Sequence, residues 1–189
     1  SFADLWSMAA SQASDDIFLD QAARYALDRP RLDAAIARTV AERLLSLGFA
    51  DLSLNWLGPV TASAPEDLRL FAAQARLALR DATTALSLLA GLDSPEALRL
   101  ASAARIQLGQ SAAAAEDMIR AGDTEAGKRA LTWTQDWPLI GAEGPDGWQA
   151  AAGLVTESQE VPSAGPISRG TALVEESAAA RAVIEGLLL

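Results

Sequence analysis

Apolar residues recur along this chain with helical spacing, and two stretches carry nearly the same pattern. SAPEDLRLFAAQARLAL begins at Ser63 and DSPEALRLASAARIQL begins at Asp93. Leucine or alanine returns every three or four residues in both, which predicts helices with one buried face. Ser63 with Glu66, and Asp93 with Glu96, have the spacing of a capping box, and a proline lies in each first turn. The pattern therefore predicts two corresponding helix starts in a repeated unit.

Each of these predicted helices is followed by a turn and a shorter helix. The second helices begin at Ala82 and Ser111, and each ends at a glycine able to adopt the left-handed conformation. An earlier copy of the pattern spans residues 29–58. Three hairpins over residues 30–122 predict a helical repeat, in which each hairpin buries its apolar face against its neighbours. The alternative is an alanine-rich helical bundle whose loops are evenly spaced.

The three hairpins resemble the tetratricopeptide repeat family. That family pairs a small residue in the first helix with a turn glycine, then an alanine in the second helix and a large apolar residue one turn beyond. The small first-helix residues here are Ala41, Ala73 and Ser102, and the turn residues are Gly48, Arg80 and Gly109. The second-helix residues are Ser53, Ala85 and Ala114, and the large apolar residues one turn beyond are Leu57, Leu89 and Met118. Where the family usually places large first-helix residues, this chain has Ala37, Arg69 and Leu98, and then Leu44, Arg76 and Arg105.

This resemblance implies an all-α fold of antiparallel helix hairpins stacked as a right-handed tetratricopeptide-like superhelix, and the residues after it predict a linker and a C-terminal helix. It also implies a concave face, lined by first-helix side chains, that holds a protein or peptide. Carried onto this chain, the face consists of Arg38, Glu42, Leu45, Leu70, Gln74, Leu77, Arg99, Ile106 and Gln107. The lysine and asparagine set of the family's carboxylate clamps is missing, so the binding of chaperone tails is not expected.

The ends of the repeat region carry further predicted helices. Residues 1–28 are expected to form two capping helices that turn Ile17, Ala22, Tyr25 and Ala26 toward the array. Residues 123–155 read as an irregular closing unit, so that the repeat domain as a whole covers residues 1–155. This unit contains Trp133, Trp137 and Trp148. Their indoles either seal the last exposed core face or form a site for a sugar or small molecule.

The C-terminal part is predicted to be a linker over residues 156–170 and an amphipathic helix over residues 171–189. The apolar side of that helix would carry Leu173, Val174, Ser177, Ala180, Ile184, Leu187 and Leu188. Because such a helix is marginal alone in water, it must pack on its own array, in its own groove or on another molecule. Homodimerisation by exchange of this helix is one such arrangement.

Charge and composition exclude several classes of function. A formal net charge of −10 repels phosphate backbones, so nucleic acid is not an expected partner. The chain has no cysteine, no histidine and one lysine, Lys128, which removes the common nucleophilic catalytic arrangements and metal sites. No apolar run is long enough to span a bilayer. We expect no cofactor and no metal, and both the cytoplasm and the periplasm of a bacterium suit this composition.

The sequence therefore predicts a non-enzymatic scaffold that binds a protein or peptide on the concave face of a helical repeat. One alternative is a carbohydrate or small-molecule binding module at the three late tryptophans. Another is the structural arm of a larger enzyme whose catalytic part lies elsewhere.

Overall fold

The computed structural model describes residues 2–26, 33–159 and 166–187, and this part of the chain is all-helical, as predicted. It forms two compact units, within residues 1–108 and 109–189. The first holds α1 (Phe2–Gln12), α2 (Asp15–Arg24), α3 (Ala34–Ser46), α4 (Ala50–Leu57), α5 (Glu66–Ala78), α6 (Ala82–Leu89) and α7 (Pro95–Gln107). The second holds α8 (Ser111–Arg120), α9 (Thr124–Leu131), a short 3-10 helix (Thr132–Thr134), α10 (Trp137–Glu143), α11 (Asp146–Gln159) and α12 (Pro166–Leu187).

Helix lengths in the first unit follow the predicted repeat. The first helix of each hairpin, α3, α5 and α7, has 13 residues. The second helices α4 and α6 have 8 residues each.

The helix starts differ in detail from the predicted capping boxes. Ser94 rather than Asp93 caps α7, accepting a hydrogen bond from the Ala97 amide at 3.3 Å. At α5 the cap position is Pro65, so Ser63 lies too early to cap and its hydroxyl is 2.9 Å from that of Thr61.

Four turns share one backbone conformation. The first turn residue is left-handed, with φ of 87° at Gly48, 62° at Arg80, 73° at Gly109 and 89° at Gly122. The next residue has φ between −96° and −91° and ψ between 56° and 64° in all four turns. Glycine adopts the left-handed conformation without strain, whereas arginine does so at a cost. The predicted turn positions at 48, 80 and 109 are confirmed.

Small residues at the predicted packing positions let the helices approach closely. Ala41, Ala73 and Ser102 on the first helices are fully buried, and so are Ser53 and Ala85 on the second helices. The Ser53 hydroxyl donates to the Ala41 carbonyl at 2.7 Å, which joins α4 to α3. Within the unit α3 packs on α4, α5 on α6, α4 on α5 and α6 on α7. Each hairpin in this unit therefore buries one face against the next.

Two arginines take part in this packing by binding carbonyl groups. Arg69 is buried and donates from Nε to the Leu88 carbonyl at 2.7 Å and from Nη2 to the Ala90 carbonyl at 2.6 Å. It thus satisfies carbonyls at the end of α6 that the helix itself leaves without partners. Arg43 donates to the carbonyls of Ala9 and Ala13, at 2.7 and 2.6 Å. These bonds explain how cations occupy packed positions.

The N-terminal helices are held by aromatic side chains that the sequence reading did not single out. The rings of Trp6 and Trp56 have centroids 4.6 Å apart, and Trp56 Nε1 donates to the Ala22 carbonyl at 3.0 Å. Phe18 is fully buried beneath the Arg43 guanidinium, which lies 4.3 Å from its ring centroid. Ala22 is buried as expected, but the prediction for Ile17 is wrong because its side chain is 57% exposed and Phe18 takes the inward position.

In the second unit α8 packs on α9, α10 on α11 and α11 on α12. Since these helices pack among themselves, the predicted domain of residues 1–155 is divided at Leu108 between two units. Both ends of the predicted linker of residues 156–170 are helical, because α11 continues to Gln159 and α12 begins at Pro166. On α12 the side chains of Val174 and Ile184 are exposed, whereas those of Leu173, Leu187 and Leu188 lie outside the described residues.

Candidate functional site

The first helices α3, α5 and α7 are joined directly by side chains from the predicted binding face. Arg38 on α3 forms an ion pair with Asp67 on α5. Gln107 on α7 donates from Nε2 to the Leu77 carbonyl on α5, at 3.1 Å. These two contacts join α3 to α5 and α5 to α7, and the surface formed by the first helices is called here the first-helix face. The predicted binding residues all belong to these three helices.

Arg38 is bound to two carboxylates on this face. Its Nε lies 2.8 Å from Glu42 Oε1, one turn along α3, and its Nη1 contacts Asp67 on α5. The hydrogen bonds that Arg38 donates to Glu42 and to Asp67, in that order of size, raise the pKa of Arg38 above its ordinary value. The same contact lowers the pKa of Asp67. Arg38 therefore connects two helices, and reversing its charge would place three negative groups together.

The remaining predicted residues differ in how open they are. Glu42, Gln74, Arg99 and Gln107 are exposed, and Leu45, Leu70 and Ile106 are half-buried. Leu77 is buried and belongs to the core between α5, α6 and α7, so the expectation that it binds a ligand is wrong. The first-helix face thus combines exposed polar side chains with half-buried apolar ones.

Of the three late tryptophans, Trp133 lines a cavity in the second unit. Trp133 is 61% exposed and, with Thr134, lines a hollow of about 420 Å³ against Gln110, Ser111 and the first turn of α8. Trp137 and Trp148 are half-buried and are not among the residues that line it. One indole, that of Trp133, therefore lines this candidate site, and the three indoles do not share it.

A larger cavity, not expected from the sequence, lies in the first unit. Its volume is about 470 Å³, and it is bounded by α4, the loop after α4, α5 and α6. Leu54, Val60 and Leu88 give it an apolar surface, and Asn55 and Arg76 are among its polar lining groups. The signal in the sequence was Arg76 itself, an arginine at a position that the repeat pattern assigns to a packed residue.

Among the residues that the structure describes, no group of three or more acidic side chains is placed to hold a metal ion. In the same part of the chain, no helix combines the length and the apolar character needed to cross a bilayer.

Comparisons with protein-family models, with curated proteins and with solved structures found no match for this chain.

Proposed function

We propose that the first unit is a tetratricopeptide-like helical repeat that binds a protein or peptide on the first-helix face, without catalysing a reaction. The observation that carries this proposal is the direct contact between successive first helices: Arg38 on α3 pairs with Asp67 on α5, and Gln107 on α7 donates to the Leu77 carbonyl on α5. A surface built from successive first helices suits an extended or helical peptide.

The character of that surface favours recognition over a purely structural role. Leu45, Leu70 and Ile106 on these helices are half-buried, and Gln74 and Arg99 on the same helices are exposed. Interfaces combine an apolar centre with a polar rim, and arginine is enriched in them. The equal lengths of α3, α5 and α7 and the shared turn conformation support the repeat architecture. The absence of histidine and cysteine from the sequence supports the non-enzymatic part.

The experiment is a selection of random peptides on the immobilised full-length protein, followed by affinity measurements on the enriched peptides. Gln74→Arg changes an exposed residue in α5 without removing core contacts. It is expected to weaken the selected peptides at least tenfold. Thr83→Arg on α6, also exposed but on a second helix, is the matched control and should leave the affinity unchanged.

Charge reversal at Arg38 is a poor probe of binding, because Arg38 joins α3 to α5. Two results would count against the first-helix face. One is a selection that enriches no peptide. The other is a set of enriched peptides that bind the Gln74 and Thr83 variants equally well.

A second candidate function is supported by the exposure of Trp133. An exposed indole beside hydroxyl and amide groups is suited to stacking on a sugar ring, and Gln110, Ser111 and Thr134 supply such groups here. Titration of tryptophan fluorescence with an oligosaccharide panel tests it. A response that Trp133→Ala abolishes and Trp137→Phe retains is expected, and a flat titration of the unmodified protein would contradict it.

A further inference from the structure

Arg76 stands where the first hairpin has a packed leucine. In the repeat register, Leu44 on α3 and Arg105 on α7 correspond to it; Leu44 is 0% exposed, whereas Arg105 is half-buried like Arg76. The side chain of Arg76 is 39% exposed and lines the 470 Å³ cavity. A sequence that breaks a local packing rule without an evident structural gain often does so at a functional site. The cavity beside Arg76 is therefore the place to look for a ligand.

Arg69 and Arg76 lie on the same helix but differ in their hydrogen bonds. Arg69 also stands where the repeat pattern assigns a packed residue, but it is buried and its donors bind the carbonyls of Leu88 and Ala90. Arg76 makes one long contact, from Nη1 to Asp81 Oδ2 at 3.3 Å. A guanidinium has five N–H donors, so this contact leaves capacity for a further acceptor.

The size and lining of the cavity fit a small ligand with two parts. Ligand sites usually measure about 300–1,000 Å³ and have mostly apolar walls with a few polar groups. Leu54, Val60 and Ala72 contribute apolar surface here, and Asn55 and Thr84 add an amide and a hydroxyl. Since Arg76 is a cation and no other described residue that lines the cavity is charged, an anionic head group is favoured at that point.

We propose that this cavity binds a molecule with a short apolar body and a carboxylate, the body lying against Leu54 and Val60 and the carboxylate on Arg76. Two sources share this chemistry: a free small carboxylic acid and the C-terminal residue of a peptide. The cavity lies between α4, α5 and α6, so this site is distinct from the first-helix face and does not depend on it.

A substitution of Asp81 tests whether the carboxylate binds Arg76, because a cavity that binds only apolar groups would not respond to the charge of Asp81. Its carboxylate contacts Arg76 and caps α6 by accepting from the Thr84 amide at 3.2 Å. A bound carboxylate would share the guanidinium with Asp81. Asp81→Asn removes the competing charge, and asparagine is as good a helix cap as aspartate. This variant should therefore bind a carboxylate more tightly while keeping α6 intact.

The experiment is isothermal titration of the full chain with phenylbutyrate and with its neutral amide. Binding of the acid is expected to exceed that of the amide at least tenfold, to fall at least tenfold in Arg76→Gln and to rise severalfold in Asp81→Asn. Asn55→Trp, which fills the cavity from an exposed position, should abolish binding. Arg80→Gln, a neighbouring arginine outside the cavity lining, is the matched control and should bind normally.

A parallel arm titrates a short peptide ending in a free leucine carboxylate and the same peptide with an amidated end. Binding of phenylbutyrate alone assigns the site to free acids, and binding of the free-ended peptide assigns it to chain termini. Circular dichroism checks that each variant is folded. Failure of both carboxylates to bind the unmodified protein, or equal binding of acid and amide, would overturn the proposal. So would acid binding that is unchanged in both Arg76→Gln and Asn55→Trp.

Discussion

Arg80→Gly is expected to stabilise the first unit although it removes a long side chain. Arg80 has φ of 62° in a turn whose counterparts at positions 48, 109 and 122 are glycines with the same conformation. A residue with a Cβ in this region costs about 1–2 kcal/mol. Because Arg80 is exposed, few contacts are lost when its side chain is removed.

The net magnitude follows from two opposing effects. Glycine removes the strain of about 1–2 kcal/mol, but its greater freedom in the unfolded chain costs about 0.5–1 kcal/mol. Arg80→Gly should thus raise the free energy of unfolding by up to about 1.5 kcal/mol. Gly48→Ala is the matched reverse change. An added Cβ at Gly48 meets no atom within 4 Å, so only backbone strain enters, and a loss of similar size is expected.

The assay is urea unfolding followed by tryptophan fluorescence. In a background with Trp133, Trp137 and Trp148 replaced by phenylalanine, the remaining indoles Trp6 and Trp56 both report on the first unit. Circular dichroism confirms that the background itself is folded. A lower free energy of unfolding for Arg80→Gly, or no change for Gly48→Ala, would refute the assignment of strain to this turn.

Three further predictions concern other contacts. Gly127→Ala should destabilise the second unit by about 1–3 kcal/mol in urea unfolding, because the added Cβ would lie 2.5 Å from Ile119 Cγ1 and 2.9 Å from the Ala115 carbonyl oxygen. Gly153→Ala is the control, since a Cβ there meets no atom within 4 Å. Arg69→Met should cost about 1–3 kcal/mol, since two carbonyls at the end of α6 lose their donor, and an unchanged urea midpoint would contradict this. The hydrogen bond from Thr84, with smaller contributions that include Arg76, lowers the pKa of Asp81. The stabilisation from its ionised form is present above about pH 4 and is lost as the pH falls through the lowered value, so Asp81→Asn should flatten the acid limb of stability against pH.

Much of the helical plan could be predicted from the sequence because its signals are local. Left-handed turns at Gly48 and Gly109 and the helix starts at Ala82 and Ser111 depend on residues next to them in the chain. The buried positions Ala41, Ala73 and Ser53 follow from the spacing of small residues within the repeat. Such signals need no knowledge of distant contacts.

The candidate sites were harder to predict because they depend on distant partners. Arg38 looks like an open cation in the sequence, but Asp67, far along the chain, binds it. Leu77 has the spacing of a surface position and is buried because α6 and α7 both cover it. Ile17 and Phe18 are neighbours of similar character, and the approach of Arg43 to the phenyl ring accompanies the inward position of Phe18. The cavity beside Arg76 exists only once α4, α5 and α6 are assembled.

The shared turn conformation has a consequence for where this protein tolerates changes in length. The connection of residues 58–65 between α4 and α5 is three residues longer than the connection of residues 90–94 between α6 and α7. The hairpins on either side keep the same helix lengths and the same turn. Insertions are thus accommodated between hairpins and excluded within them. A fluorescent or affinity tag placed in the exposed segment of residues 61–63 should leave every hairpin intact, while one residue added at Gly48 would shift Ser53 out of reach of Ala41.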